Sequence, residues 1–219
     1  MAAGKAQGLF FGLPTMATAN AMYDRLVKTW LAFYSPESRP SLVLAHSART
    51  LMDRFNESLW SGDLVGSEEP DEQTFSQGCA AWFADSNKKA LLAEIGVGTL
   101  DQAMMAVKHN NLRLLGLSNK ILLADEIHAC DAYMSCILEG LIERQARGGN
   151  SVILLSATLS QQQCDKLVAA FARGTEGQQE APFLEKDDYP WLTHVTKSDV
   201  NSHRVATRKD VERSVSVGW

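Results

Sequence analysis

Four short apolar runs constrain this chain more than any other feature. Gly8 to Leu13 (GLFFGL), Ser41 to Ala45 (SLVLA), Lys120 to Ala124 (KILLA) and Ser151 to Leu155 (SVILL) are too short for stable helices and carry apolar residues at consecutive positions. A strand that is apolar on both faces is covered on both faces, the condition of a strand inside a parallel sheet. Amphipathic stretches separate the runs. Thr15 to Tyr34 sets Met22, Leu26 and Trp30 on one helical face, and Ser47 to Trp60 predicts a second helix. Thr99 to Lys108, Asp131 to Ala146 and Gln161 to Ala172 predict three more, with Met134, Ile137, Leu138, Leu141 and Ile142 turned inward. A further short strand falls within Leu91 to Val97, and another at Ser214 to Val217. Residues 61–74 and 173–187 have the composition of loops. The alternation predicts an α/β fold, a parallel sheet of five or six strands flanked by helices.

Composition excludes several classes. With 219 residues, 45% hydrophobic and 21% charged, the chain suits one globular domain and no disordered or collagen-like protein. The formal charge of −5 argues against holding duplex DNA mainly by neutralising phosphates. Backbone amides and hydroxyls remain able to hold phosphates without net positive charge. Cys79, Cys130, Cys136 and Cys164 show no C-x-x-C spacing and read as reduced thiols rather than a zinc set. No apolar run approaches the roughly 20 residues of a membrane span, and Met1 to Gln7 has no signal-peptide core. The expected location is therefore cytoplasmic. Trp30, Trp60, Trp82 and the pair Phe10–Phe11 are expected as core or loop anchors rather than base-stacking platforms.

In parallel sheets the chemistry sits at the carboxyl ends of the strands. The strand Lys120 to Ala124 runs directly into Asp125-Glu126-Ile127-His128. An Asp at the end of a buried strand can hold the Mg²⁺ that bridges nucleotide phosphates, and the Glu beside it can accept a proton from an attacking water. One crossover unit later, Val152 to Leu155 ends in Ser156-Ala157-Thr158. Either segment alone has a plain reading, a polar loop start for the first and a helix cap at Thr158 or Ser160 for the second. Together, at this distance, they resemble motifs two and three of a superfamily-two helicase.

Two further segments narrow the resemblance. Leu13-Pro14-Thr15-Met16-Ala17-Thr18-Ala19-Asn20-Ala21-Met22 is similar to motif Ia, and Gly96-Val97-Gly98-Thr99-Leu100-Asp101-Gln102-Ala103 to motif Ib, of the CRISPR-associated helicase–nuclease of type I systems, the effector recruited by Cascade. Asp125 to Asp131 resembles that family's extended motif two, with Cys130 where an aromatic is usual, and Tyr189 to His194 is also similar. The resemblance implies part of the first RecA-like domain of an ATP-dependent translocase on single-stranded DNA. It implies Asp125 as the magnesium-holding acid, Glu126 as general base, His128 as a coupling residue, and Ser156 and Thr158 as the link between nucleotide state and domain movement. It also implies Thr15, Thr18 and Thr99 against the DNA backbone. A helix cap is the alternative reading of Thr15 and Thr18. ATP and Mg²⁺ are the implied cofactors; single-stranded DNA and Cascade are the implied partners.

The sequence departs from the family in its catalytic parts. It contains no G-x-x-x-x-G-K-[ST], and Gly4-Lys5-Ala6 lacks both the first glycine and the hydroxyl for Mg²⁺. It contains no His-Asp dipeptide of the fused nuclease. The expectation is an incomplete first motor domain over residues 1–219, without the P-loop strand and helix, a nuclease domain or a second RecA-like domain. Such a chain is expected to be inactive alone, its missing domains supplied in cis or in trans. The alternatives are a non-catalytic binding module, a decoy for Cascade or the displaced strand, and the product of a decayed gene.

Overall fold

The computed structural model describes residues 6–34, 40–45, 89–109, 111–177, 180 and 190–206. Five strands form one parallel sheet: β1 (Gly8–Leu13), β2 (Leu42–Ala45), β3 (Ile95–Thr99), β4 (Lys120–Ala124) and β5 (Val152–Leu154). Their spatial order is β2-β3-β1-β4-β5. The helices are α1 (Met16–Phe33), α2 (Leu100–His109), α3 (Asn111–Leu117), α4 (Ala132–Arg147) and α5 (Gln161–Thr175). A hairpin of β6 (Trp191–Val195) and β7 (Val200–Arg204) forms a separate two-stranded sheet.

Alternation along the strands divides the core into two. On one face Phe10, Val43, Ala45, Leu122 and Ala124 meet Leu100, Ala103 and Met104 of α2, Leu138, Leu141 and Ile142 of α4, and Ala170 of α5. On the other face Leu13, Leu44 and Val97 meet Ala19 and Tyr23 of α1. The two crossovers share one hand, since β4 to β5 passes through α4 on the first face and β1 to β2 runs the opposite way through α1 on the second, and right-handed crossovers are the general rule.

The strands expected at Gly8–Leu13 and Lys120–Ala124 have those bounds, and those at 41–45 and 151–155 are shorter by their end residues. The strand expected within Leu91 to Val97 lies later, at Ile95–Thr99, because Lys89–Leu92 forms a 3-10 turn. Its glycines hide it from a propensity reading. At Gly98 a Cβ would lie 2.1 Å from the carbonyl oxygen of Ala45, so only glycine lets β2 and β3 approach. Three elements differ from expectation: α3, the β6–β7 hairpin, and the C-terminal end of α5. The segment from 173 was expected as loop, yet α5 runs to Thr175 because Gly174 lies against α4. The expected helix Ser47 to Trp60, the acidic loop 61–74, the strand Ser214 to Val217, Trp60, Trp82, Cys79 and the side chain of Trp30 lie outside the described residues. Phe10 is fully buried and Phe11 packs beneath α1, as core residues. No described helix is long and apolar enough to cross a membrane.

Polar groups fasten the amino ends of the strands. The Ser41 amide donates to Glu94 Oε2 at 2.8 Å, and the Glu94 amide donates to Ser41 Oγ at 2.8 Å, joining β2 to β3. Buried Lys120 at the start of β4 donates through Nζ to the carbonyls of Leu91 and Ala93. Burial lowers its pKa from 10.5 to about 8, the Glu94 carboxylate opposing the shift.

Two predictions follow from this packing. At Gly174 a Cβ would lie 2.3 Å from the Glu143 carbonyl oxygen and 2.6 Å from Ala146 Cβ. Gly174→Ala should therefore lower unfolding free energy by about 1–3 kcal/mol in urea titration, and an unchanged midpoint would refute this close crossing. For Lys120, the unfolded chain binds more protons than the folded one between about pH 8 and 10.5. The charging penalty is present in full below that window and fades as pH rises through it. Wild type should gain stability relative to Lys120→Met across the window, measured as the difference in urea midpoints.

Candidate functional site

The site begins with how β4 ends. The amide of Asp125 donates to the Gly12 carbonyl at 2.9 Å, extending the β1–β4 ladder past Ala124. Glu126 then takes φ 54° and ψ 40°, the left-handed region. An L side chain there costs roughly 1–2 kcal/mol, so the surrounding bonds must hold it. The Glu126 amide donates to Asp125 Oδ1 at 2.9 Å. The Ile127 amide donates to the Leu155 carbonyl at 3.2 Å, and the Leu155 amide to the Ala124 carbonyl at 2.9 Å. Ile127–Ala129 closes a 3-10 turn, and Asp131 caps α4 by accepting from the Met134 amide at 2.8 Å. Asp125 and Glu126 are both half-buried at the carboxyl end of the sheet.

The second half of the site comes from β5. His128 Nδ1 lies 3.1 Å from Glu126 Oε2 and 3.4 Å from Ser156 Oγ. Ser156 Oγ donates to the Thr158 carbonyl at 2.6 Å. The structure thus gathers Asp125, Glu126, His128, Ser156 and Thr158 at the ends of two adjacent strands, Thr158 entering through its backbone. Ser160 caps α5 in a reciprocal box with Gln163. Sequence reasoning missed the contributions of Gly12 and Leu155, which act only through their backbone groups and leave no signal in side-chain pattern.

The three threonines lie along the same carboxyl edge. The Thr18 amide donates to Thr15 Oγ1 at 3.1 Å and the Thr15 amide to Thr18 Oγ1 at 3.2 Å. The two hydroxyls are 3.0 Å apart. Both side chains are exposed and cap the first turn of α1. Thr99, opposite Leu13 in the ladder, is only 8% exposed. A phosphate placed at this edge would meet α1's first turn before the Thr99 side chain.

Among the described residues no three His, Cys, Asp or Glu side chains come together as a metal set. Asp125 by itself suits a cation that takes its other ligands from phosphate and water, the usual habit of Mg²⁺. The chain thus has a carboxylate at the end of β4 and contains no G-x-x-x-x-G-K-[ST] sequence. Cys130 is half-buried, Cys136 exposed and Cys164 buried, all as free thiols. Burial raises the pKa of Cys130 and Cys164, with nearby aspartates adding to it, so neither has the character of a reactive thiolate.

A five-stranded parallel sheet flanked by helices, with an acidic pair ending one strand and Ser-Ala-Thr ending its neighbour, makes an α/β domain consistent with the RecA-like fold. Comparison with known proteins gives the particular relatives. No protein-family model matches the chain. It is 40% identical over 193 residues to the CRISPR-associated endonuclease/helicase Cas3 of Escherichia coli (strain K12), covering 85% of this chain and 20% of that protein. It is 37% identical over 183 residues to Cas3 of Thermus thermophilus, covering 81% and 19%. The crystal structure of T. fusca Cas3 with AMPPNP superposes with a TM-score of 0.71 at 31% identity, over 93% of this chain and 23% of that one. A chain of a CRISPR RNA-guided surveillance complex, pre-nicking, matches with a TM-score of 0.57 at 30% identity, covering 90% and 18%. The chain is a homologue of the Cas3 helicase–nucleases over most of its length, and it spans about a fifth of theirs.

The left-handed turn at Glu126 has a measurable cost. Glu126→Gly and Glu126→Ala both remove the carboxylate, but only glycine accepts φ 54° without strain. The glycine variant should be more stable than the alanine variant by about 1 kcal/mol in denaturant unfolding. Equal stability of the two would show that the left-handed Glu126 carries no strain.

Proposed function

We propose that this chain is part of the first motor domain of an ATP-dependent, single-stranded-DNA helicase of CRISPR interference. The observation that carries this reading is the meeting of Asp125, Glu126, His128 and Ser156 at the ends of β4 and β5, in a homologue of Cas3. In this reading Asp125 faces the Mg²⁺ of a bound nucleotide, the cation supplying charge neutralisation at the phosphates. Glu126 accepts the proton of the attacking water. Ser156 and Thr158, tied to His128, carry the state of the site to neighbouring parts. The first turn of α1, with Thr15 and Thr18, and the β3–α2 turn at Thr99 face the DNA backbone. Cascade is the partner that would deliver the displaced strand.

The 219 residues contain no G-x-x-x-x-G-K-[ST], so ATP has no lysine and amide cradle here. Among the described residues no strand pairs with the outer edge of β5, and that edge indicates where such a segment would sit. Strand β5 ends the sheet, with Ile153 44% exposed and Leu155 also exposed. Interior parallel strands are normally covered on both faces. A strand added beyond β5 and running on into β1 would cross in the same sense as β1 to β2. Right-handedness then puts its helix on the α1 face, over Ile121, Leu123 and Ile153. Left uncovered, this edge and face make the chain marginally stable and prone to associate.

The test is ATP hydrolysis with single-stranded DNA, by the chain alone and mixed with a polypeptide carrying the P-loop segment and second motor domain of a Cas3 relative. The chain alone should turn over at the buffer rate. The mixture should hydrolyse ATP, and Glu126→Gln should lower its rate by about a hundredfold or more. DNA-stimulated hydrolysis by the chain alone that Glu126→Gln abolishes would overturn the need for a supplied cradle. A mixture that assembles yet stays inert would overturn the motor reading. The missing cradle favours one second reading, a non-catalytic module that occupies Cascade or the displaced strand. Binding to the surveillance complex without any restored hydrolysis would identify it.

A further inference from the structure

We propose that the outer face of the β6–β7 hairpin is a binding site for a borderline transition-metal cation, held by His194, His203 and Asn201. The register of the ladder places them together. His194 lies directly opposite Asn201, and Leu192 directly opposite His203. Side chains alternate along a strand, so these four share one face of the hairpin. All four are exposed, whereas Trp191, Thr193, Val195 and Val200 on the other face are half-buried. In an antiparallel pair, directly opposed Cβ atoms lie about 4.5–5.5 Å apart and diagonal neighbours about 7–8 Å. His194 and His203 are a diagonal pair, and Asn201 sits at the corner between them. Two imidazoles reaching toward each other across that diagonal span it with a cation between them.

Hydrogen bonding aims the third donor. Asn201 Nδ2 donates to Asp199 Oδ2 at 2.6 Å. A carboxylate only accepts, so the amide nitrogen faces Asp199 and the carbonyl Oδ1 lies on the far side of the planar group. Asp199 precedes β7 and His203 follows Asn201 by two residues, so Oδ1 is turned toward the imidazoles. Among the described residues neither imidazole has a hydrogen-bond or ion-pair partner. A neutral ring of this kind offers one nitrogen lone pair. Two imidazole nitrogens and a carboxamide oxygen suit Zn²⁺, Ni²⁺ or Cu²⁺, whereas Mg²⁺ and Ca²⁺ take oxygen ligands. Zn²⁺ binds imidazole nitrogen at about 2.0–2.1 Å in tetrahedral sets, and water would complete this one. Asp199 holds the carboxamide in orientation and adds negative charge behind it, the part that outer partners play around a metal.

The site has a mechanical consequence. β6 and β7 form a sheet of their own. A two-stranded hairpin is marginal in water by itself. A cation bonded to His194 on β6 and to Asn201 and His203 on β7 ties the strands together, so binding and hairpin order rise together. The site lies apart from Asp125 in the sequence, and it does not rest on the motor reading.

The experiment is a Zn²⁺ titration of the ¹⁵N-histidine-labelled chain, in which the ring nitrogen shifts report binding separately at each of the five histidines. His194→Gln and His203→Gln assign the two signals. If the chain associates alone, the titration is run on its mixture with the P-loop polypeptide, left unlabelled. The His194 and His203 signals should move together, with one midpoint. Each glutamine variant should weaken binding at the remaining ring about tenfold or more, and Asn201→Leu should weaken it at both rings by about tenfold. Amide exchange in β6 and β7 should slow on adding Zn²⁺ to the wild type and stay unchanged in the double histidine variant. All three positions are exposed, so the variants should keep the metal-free urea midpoint of the wild type. Separate midpoints for the two rings, or no movement of either in excess Zn²⁺, would overturn the proposal. Unchanged affinity in Asn201→Leu would overturn the three-ligand set.

Discussion

The pairing of β1 with two neighbours at once is the constraint on which the rest of this structure depends. Gly8 to Leu13 bonds to β3 on one side and β4 on the other, and its side chains feed both cores. The same strand fixes the site, because the Gly12 carbonyl receives the Asp125 amide and so determines where β4 stops being a strand. Buried on both faces and bonded along both edges, β1 has little freedom to shift. The acidic pair therefore inherits its position from a strand that carries no functional side chain.

Strain and charge are then spent locally. The left-handed Glu126 is an unfavourable conformation that recurs where a side chain must be aimed rather than packed. Its carboxylate meets an imidazole that also faces a serine on the neighbouring strand, so two strand ends share one small polar network. At the opposite end of the sheet the polar groups serve a different purpose. Ser41 and Glu94 bond to each other, and Lys120 bonds to the buried carbonyls of Leu91 and Ala93; they anchor strand starts without forming a site. The division follows the general geometry of parallel sheets, with structure at the amino ends and chemistry at the carboxyl ends.

What the sequence displayed depended on whether a side chain or a backbone group carried the information. Strands β1, β2, β4 and β5 were legible because buried parallel strands leave unbroken apolar runs. Strand β3 was harder, because two of its five residues are glycines required by close approach rather than by propensity. Helix α3 was missed because Leu112 and Leu115 are exposed and blur its periodicity; the β6–β7 hairpin was missed because its pattern is half exposed. The residue types of the site were readable as D-E-x-H and S-A-T, and the structure brings both segments together. The partner of His128 was not readable. Spacing allowed a link to the second segment, whereas the shorter contact is to Glu126, two residues away. Nor could spacing show that Thr15 and Thr18 bond to each other across the first turn of α1.

The central place of β1 also sets the order in which the domain can assemble during synthesis. Leu9 pairs with Ile95 and Gly8 with Lys120, so β1 gains its first sheet partner only when β3 has been made and its second only with β4. Until then an apolar ribbon with two bare edges must be kept from other chains. Folds built on such distant pairings nucleate slowly and are vulnerable to aggregation while they wait. The acidic stretch from Glu68 to Glu72 emerges within that interval, and its charge would help to keep the unfinished chain dispersed.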